Sequence, residues 1–184
     1  MTAGTASAPP SESQTSGSFG PVIFACSCVV AGLCFVQFGF STDAIVATLF
    51  AVLLVLLSAI DLRQRIIPNV IVLPGAAIVL LANIANQPSR TVEWLVAAVA
   101  AFAVFLAVAL INPAGLGMGD VKLAFLIGAG LGWDVAAALI LGTFAAAAYA
   151  VILVLTRPGA GAKTAFALGP FLAAAAIVVL LLAH

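Results

Sequence analysis

The sequence predicts an all-α protein, a polytopic bundle of about seven transmembrane helices, and two observations carry this prediction. Hydrophobic residues make up 65% of the 184 residues, charged residues only 7%, and the mean hydropathy is +1.34. A soluble domain carries about 25% charged residues, so this chain lacks the polar surface that a water-facing globule needs. The apolar residues also form long unbroken runs, whereas the strands of a membrane β-barrel alternate apolar and polar positions.

The first 20 residues are predicted to be a flexible tail. They are rich in Ser, Thr, Gly, Ala and Pro and contain no Lys or Arg. A secretory signal would place positive charge ahead of its apolar stretch, so the first apolar run, 21–40, is expected to remain as a membrane helix. Residues 21–184 are therefore predicted to form a single membrane-embedded domain.

Seven apolar runs follow the tail, and most of them reach the roughly 20 residues that a helix needs to cross a bilayer. The runs are 21–40, 43–60, 69–86, 92–112, 121–133, 134–156 and 165–183. The fifth run spans only about 20 Å as a helix. It is either a short separate helix or the first part of a longer helix that continues through Asp134, and we favour the separate helix.

The distribution of positive charge favours seven helices and sets their orientation. With seven crossings, one side of the membrane receives Arg63, Arg65, Lys122, Arg157 and Lys163. Arg90 alone lies on the other side. Because short cytoplasmic loops are enriched in Lys and Arg, the N-terminus and the five cationic residues are expected to be cytoplasmic.

The low and balanced charge excludes one class of partner and directs attention to the acids. The net charge is zero and no basic run occurs, which argues against nucleic acid. Glu12 lies in the tail, whereas Asp43, Glu93 and Asp134 lie at predicted outer helix ends and are expected to be interface residues. Tryptophans near the interfaces, Trp94 and Trp133, are expected to be membrane anchors, and glycines at 128, 130 and 132 to allow close helix packing.

Asp61 and Asp120 are different, because both fall at the same predicted membrane face. Asp61 ends an apolar run and is expected to open a loop, and Asp120 follows a segment, 115–119, that contains three glycines. A carboxylate on such a flexible turn can meet a second carboxylate and a substrate. Two carboxyls that share one proton are the machinery of aspartyl proteolysis. On spacing alone, two interfacial anchors remain the alternative.

Three motifs add a family resemblance. Gly117-Met118-Gly119-Asp120 is a GxGD motif, Ile67-Pro68-Asn69 follows Asp61 after five residues, and residues 167–172 read ALGPFL. Together they resemble the type IV prepilin peptidases, which are membrane-embedded GxGD aspartyl proteases. The resemblance covers the chain from about residue 43 to its end, so the helix at 21–40 lies outside it. The compact chain is similar to the members that serve tight-adherence (Flp-type) pili.

The resemblance implies a membrane aspartic endopeptidase that removes the leader from type IV prepilins or pilin-like precursors. It places the enzyme in the bacterial inner membrane, with cleavage at the cytoplasmic face and the pilus assembly machinery as a possible partner. Asp61 and Asp120 match the family's two catalytic positions, where they would activate water.

Larger members of this family carry paired CxxC motifs that resemble a zinc site, and they also N-methylate the new pilin terminus. The cysteines of this chain, Cys26, Cys28 and Cys34, all lie in the first apolar run. Their spacing and surroundings do not suit tetrahedral zinc. We therefore expect no metal, no cofactor and no methyltransferase activity.

Seven further residues are predicted to support the site or bind substrate: Pro68, Asn69, Gly117, Gly119, Lys122, Gly169 and Pro170. Lys122 lies two positions after Asp120, so on a helix it points away from it. It is either a cytoplasmic anchor or a group that influences the aspartates or an acidic substrate group. Asn69 begins an apolar helix and needs a partner, for which a backbone N–H or Asp61 would serve. Gly169 and Pro170 either interrupt the last helix beside the site or simply begin it.

Three other functions remain open. An intramembrane protease of the presenilin or signal-peptide-peptidase kind also uses GxGD, but it places its first aspartate after a tyrosine, whereas Ile60 precedes Asp61 here. A small ion- or proton-coupled transporter would need acids deeper in the helices and often an inverted repeat, which we do not find. A non-catalytic pilus assembly scaffold would leave both aspartates dispensable.

Overall fold

The structure, a computed structural model, describes residues 19–64, 67–113, 115–156 and 167–182. These ranges hold seven α-helices and no strand, which confirms the predicted all-α class. The helices are α1 (Phe19–Phe38), α2 (Thr42–Gln64), α3 (Asn69–Asn86), α4 (Thr91–Ile111), α5 (Met118–Leu131), α6 (Val135–Thr156) and α7 (Gly169–Leu182). Arg65, Arg157 and Lys163 and almost all of the predicted tail lie outside the described residues.

Five stretches of the described chain are long and apolar enough to cross a membrane. They are Gly20–Phe38, Thr42–Gln64, Asn69–Asn86, Pro88–Ile111 and Met118–Thr156. The last of them has 39 residues. It would be about 58 Å long as a straight helix, roughly twice the thickness of the hydrocarbon core. The chain is therefore an integral membrane protein in which this stretch has to bend.

The bend is a reversal at Gly132, between α5 and α6. Gly132 has a φ of 58°, a left-handed conformation that favours glycine, and it begins a short 3₁₀ turn. α5 runs antiparallel to α4, with Phe125 against Phe102 and Gly128 against Ala97. α6 then returns toward the start of α7, where the rings of Tyr149 and Phe171 lie 5.3 Å apart. The predicted separate short helix is thus observed, although it begins three residues earlier than expected.

α5 lies at the centre of the bundle, and its packing depends on a missing side chain. Eight of its 14 residues are buried, among them Leu123, Leu126 and Ile127. A Cβ atom at Gly128 would lie 2.7 Å from both the carbonyl oxygen of Ala97 and the Cα atom of Ala98. The glycine therefore allows α4 and α5 to approach closely, as predicted for the small residues of this helix.

Gly128→Ala is accordingly expected to destabilise the fold by about 1–3 kcal/mol, because the new methyl group meets backbone atoms that cannot rotate away. The midpoint of thermal unfolding in detergent measures this effect. Gly32→Ala in α1 is the matched control, because nothing lies within 4 Å of the Cβ position of Gly32. If the two variants unfold at the same temperature, the close approach of α4 and α5 is wrong.

The end of the bundle at the start of α2 and α4 carries a polar network. Asp43 accepts hydrogen bonds from the side-chain amides of Asn86 and Gln87. Arg90 donates to Glu93 through Nε at 2.8 Å and Nη2 at 2.6 Å, and its guanidinium lies 5.1 Å from the centre of the Trp94 ring. Trp94 is only 7% exposed, so the expectation of a lipid-facing anchor is wrong for this residue. Its ring is enclosed because α5 ends against it.

Candidate active site

Asp61 lies in the last turn of α2, at the end of the bundle opposite the Asp43 network. Among the described residues it is the only charged side chain that is buried, with 6% of its surface exposed. Its Oδ2 atom has no hydrogen-bond partner in the described part of the chain. The expectation that Asp61 ends its helix and opens a loop is wrong, because α2 continues to Gln64. A buried carboxyl oxygen without a hydrogen-bond partner is costly, which is typical of a functional site.

Asp120 lies in the first turn of α5, where Gly117 is the residue that caps the helix. The backbone N–H of Asp120 donates to the carbonyl oxygen of Gly117 at 3.0 Å. The expectation of a flexible turn is therefore wrong for Asp120 itself, since the glycine-containing segment precedes the helix that carries it. A carboxylate is stabilised in the first turn of a helix by the helix dipole, and the helix also fixes the direction of the side chain.

The two carboxyl groups line one cavity of about 410 Å³. Most of the predicted supporting residues line it as well, together with two that were not predicted. The lining residues are Asp61, Ile67, Pro68, Asn69, Gly117, Met118, Gly119, Asp120 and Lys122. Residues that are far apart in sequence thus converge at the end of α2, the start of α3 and the start of α5. The two carboxyls therefore face one shared cavity.

Gly169 does not line the cavity, but it lies directly against Asp61. A Cβ atom at Gly169 would lie 2.6 Å from Asp61 Oδ2. α7 begins at Gly169 and Pro170 follows within its first turn, where a proline suits a helix. The Gly-Pro pair therefore begins the last helix rather than interrupting it. The same glycine allows the backbone of α7 to reach the buried carboxyl.

Asn69 and Lys122 form a contact that the sequence did not predict. The Nζ atom of Lys122 donates a hydrogen bond to Asn69 Oδ1 at 2.5 Å. Among the described residues, neither Asp61 nor a backbone N–H is hydrogen-bonded to Asn69, contrary to expectation. The long side chain of Lys122 extends toward α3. It therefore lines the same cavity as Asp120, although the two residues are two positions apart on α5.

Ile67 belongs to the Ile-Pro-Asn motif but is not among the predicted site residues. Its side chain is 6% exposed, and a Cβ atom at Gly119 would lie 3.0 Å from Ile67 Cβ. The second glycine of the GxGD motif, Gly119, thus leaves room for the side chain of Ile67. The signal was present in the sequence, because an apolar residue before a proline at a helix start often packs inward.

No metal centre is evident where the structure can be described. The ranges 19–64, 67–113, 115–156 and 167–182 contain no group of three or more His, Cys, Asp or Glu side chains that is able to hold an ion. Cys26 and Cys28 are exposed on α1, whereas Cys34 is buried. The absence of a metal from the reaction remains a prediction.

These features define a class of protein: a polytopic helical membrane protein with two carboxyl groups in one cavity at the end of its bundle. Comparison with known sequences identifies the family. The chain belongs to the type IV leader peptidase family, whose model matches residues 48–155. This range includes both aspartates and excludes α1, as the resemblance predicted. It also excludes Gly169 and Pro170.

A curated relative supports the same family. The chain is 30% identical over 136 residues to the prepilin leader peptidase/N-methyltransferase of Bacillus subtilis (strain 168). The aligned region covers 73% of this chain and 54% of the relative. The chain therefore spans about half the length of this relative. No solved structure matches the chain.

Proposed function

We propose that this protein is a prepilin peptidase, an aspartic endopeptidase that removes the leader peptide from type IV prepilins or pilin-like precursors. Membership of the type IV leader peptidase family supports the peptidase activity. The observation that carries the aspartic mechanism is that Asp61 and Asp120 line one cavity. The name of the Bacillus subtilis relative supports a prepilin as the substrate.

In the proposed reaction the two carboxyls hold one proton between them, because two like charges at close range are unfavourable. The ionised carboxylate takes a proton from a water molecule as its oxygen attacks the scissile carbonyl carbon. The protonated carboxyl donates a hydrogen bond to the carbonyl oxygen as that oxygen gains negative charge. The tetrahedral intermediate then collapses, the C–N bond breaks and a proton passes to the leaving nitrogen. The products are a leader with a free carboxyl group and a mature chain with a free amine.

We infer that cleavage takes place at the cytoplasmic face of the bacterial inner membrane. Arg63 and Lys122 lie at the aspartate end of the bundle, whereas Arg90 lies in the network at the other end. This arrangement supports the orientation expected from the positive-inside rule. An aqueous cavity at that face would admit both the water and the precursor.

We propose further that the chain lacks N-methyltransferase activity. The name of the Bacillus subtilis relative includes that activity, but this chain aligns with only 54% of the relative. The paired CxxC motifs of larger family members have no counterpart here, because the three cysteines all lie in α1. The proposed product is therefore a mature pilin with an unmodified N-terminus.

Co-expression with a candidate precursor from the same genome tests the function. Wild-type protein is expected to shorten the precursor on a gel, and mass spectrometry is expected to find a new N-terminus without a methyl group. An empty vector is the control. A precursor that stays intact beside a well-expressed membrane protein would overturn the proposal and favour the transporter or the scaffold. A methylated terminus would overturn only the prediction about methyl transfer.

A further inference from the structure

The two carboxyls are carried by helices that are joined mainly through other elements. α2 packs principally against α1, α3 and α7, whereas α5 packs principally against α3, α4 and α7. The two helices meet directly where Phe50 of α2 lies against Gly130 of α5, but that contact is beside Asp43, at the other end of the bundle. Near the carboxyls, the separation of Asp61 from Asp120 therefore depends on the elements that join α2 to α5. The start of α3 is one such element, because it follows α2 closely in the chain and contacts the first turns of α5.

The contact between Ile67 and Gly119 brings the start of α3 to the start of α5. Gly119 lies directly before Asp120, and its missing side chain leaves room for Ile67. A Cβ atom added at Gly119 would lie only 3.0 Å from Ile67 Cβ. Pro68, the N-cap of α3, has extended backbone angles, φ −70° and ψ 125°, and its ring restricts φ. The backbone is therefore extended where it enters α3, and Ile67, directly before Pro68, lies against Gly119 of α5.

The hydrogen bond between Lys122 and Asn69 joins the same two helices with a polar contact. Its donor, Lys122, is two residues after Asp120 in α5, and its acceptor, Asn69, directly follows Pro68 at the start of α3. The bond is exposed to solvent, which weakens it, but its charged donor makes it stronger than an exposed bond between neutral groups. Because this bond crosses from α3 to α5, it resists separation of the first turn of α5 from the rest of the site.

We propose that Lys122 and Asn69 form a strap between α5 and α3 that holds Asp120 in position against Asp61. In this proposal Lys122 is a positioning residue for the peptidase reaction, and its ammonium acts through Asn69 rather than through the substrate. The proposal rests on the peptidase function proposed above. It assigns a role to a lysine that would otherwise serve only as a membrane-interface anchor.

The strap predicts a loss of kcat when either partner is removed. Lys122→Met and Asn69→Leu keep the approximate shape of the side chain and delete the bond. Each is expected to lower kcat by about 10- to 100-fold with little change in KM, since a displacement of about 1 Å in a reacting group has effects of that size. The variant with both substitutions is expected to match the single variants, because one bond cannot be lost twice.

Two further variants separate the strap from other roles. Asn69→Gln keeps an amide oxygen for Lys122 and adds no charge to the cavity, so it is expected to recover most of the kcat that Asn69→Leu loses. Asn86→Leu removes an amide at the opposite end of α3, where Asn86 contacts Thr42 and Asp43. This matched control is expected to leave kcat unchanged. The melting temperature of every variant shows whether it folds.

The measurement is steady-state cleavage of a purified precursor by the full-length protein in liposomes. A rise in KM with kcat unchanged would overturn the strap, because it would make Lys122 a substrate-binding residue. Equal kcat for Asn69→Leu and the wild type would overturn it as well, as would effects that multiply in the double variant. Failure of the wild type to cleave would instead count against the proposed function, so the two failures are distinguishable.

Discussion

Asp61→Asn and Asp120→Asn are each expected to lower the rate of leader cleavage by about 10³-fold or more, the upper part of the range for loss of a general acid or base. Asparagine keeps the shape of the side chain but neither accepts the proton of the attacking water nor donates a carboxyl proton. The proposed reaction needs one ionised and one protonated carboxyl, so neither residue is able to replace the other. Steady-state kinetics with a purified precursor measure the loss.

Asp43→Asn is the matched control for both substitutions. Asp43 also lies at a helix end and accepts hydrogen bonds from Asn86 and Gln87, but it lies in the polar network at the other end of the bundle. Its rate of cleavage is expected to remain that of the wild type. An Asp120→Asn or Asp61→Asn protein that folds and still cleaves at a comparable rate would show that the carboxyl pair has been assigned incorrectly.

Gly169→Ala is expected to lower kcat by about 10²-fold, because a small displacement of a catalytic group has effects of this size. The added methyl group would lie 2.6 Å from Asp61 Oδ2. Either the carboxyl or the first turn of α7 therefore has to move. The effect is expected in kcat rather than in KM, since the methyl group contacts the carboxyl and not the cavity that would hold the substrate.

A packing control distinguishes damage at the site from damage to the fold. A Cβ atom at Gly142 of α6 would lie 2.9 Å from Leu172 Cα, so Gly142→Ala disturbs α7 without touching Asp61. This variant is expected to lower the melting temperature while retaining most of the activity. If Gly169→Ala cleaves the precursor as fast as Gly142→Ala does, the close contact of Asp61 with α7 has no part in catalysis.

The positions of the helices follow closely from the sequence. The run at 69–86 matches α3, and the run at 134–156 differs from α6 by a single residue. Helix positions are predictable from such runs because a bilayer imposes a minimum length on every crossing and disfavours polar residues at its centre. The reversal at Gly132 was also predictable, since the alternative would have placed an additional cationic loop on the outer side.

The details of the site were less predictable, because packing rather than hydropathy decides them. Asp61 lies within α2, which continues to Gln64, whereas hydropathy alone ends that helix at the first charge. Its carboxyl is buried because the start of α7 packs directly against it. The bond from Lys122 to Asn69 joins residues on different helices, and no local pattern indicates which distant amide a long cation reaches. Trp94 is buried for a similar reason, since the end of α5 covers it.

Comparison of the two single aspartate variants with the double variant tests the central claim most directly. Cleavage of a purified precursor is measured for Asp61→Asn, Asp120→Asn and the protein that carries both substitutions. If the two carboxyls act as one catalytic unit, the double variant is expected to be no slower than either single variant, because residues that act together are strongly non-additive. Losses that multiply in the double variant, or a single variant that retains activity, would contradict a shared mechanism.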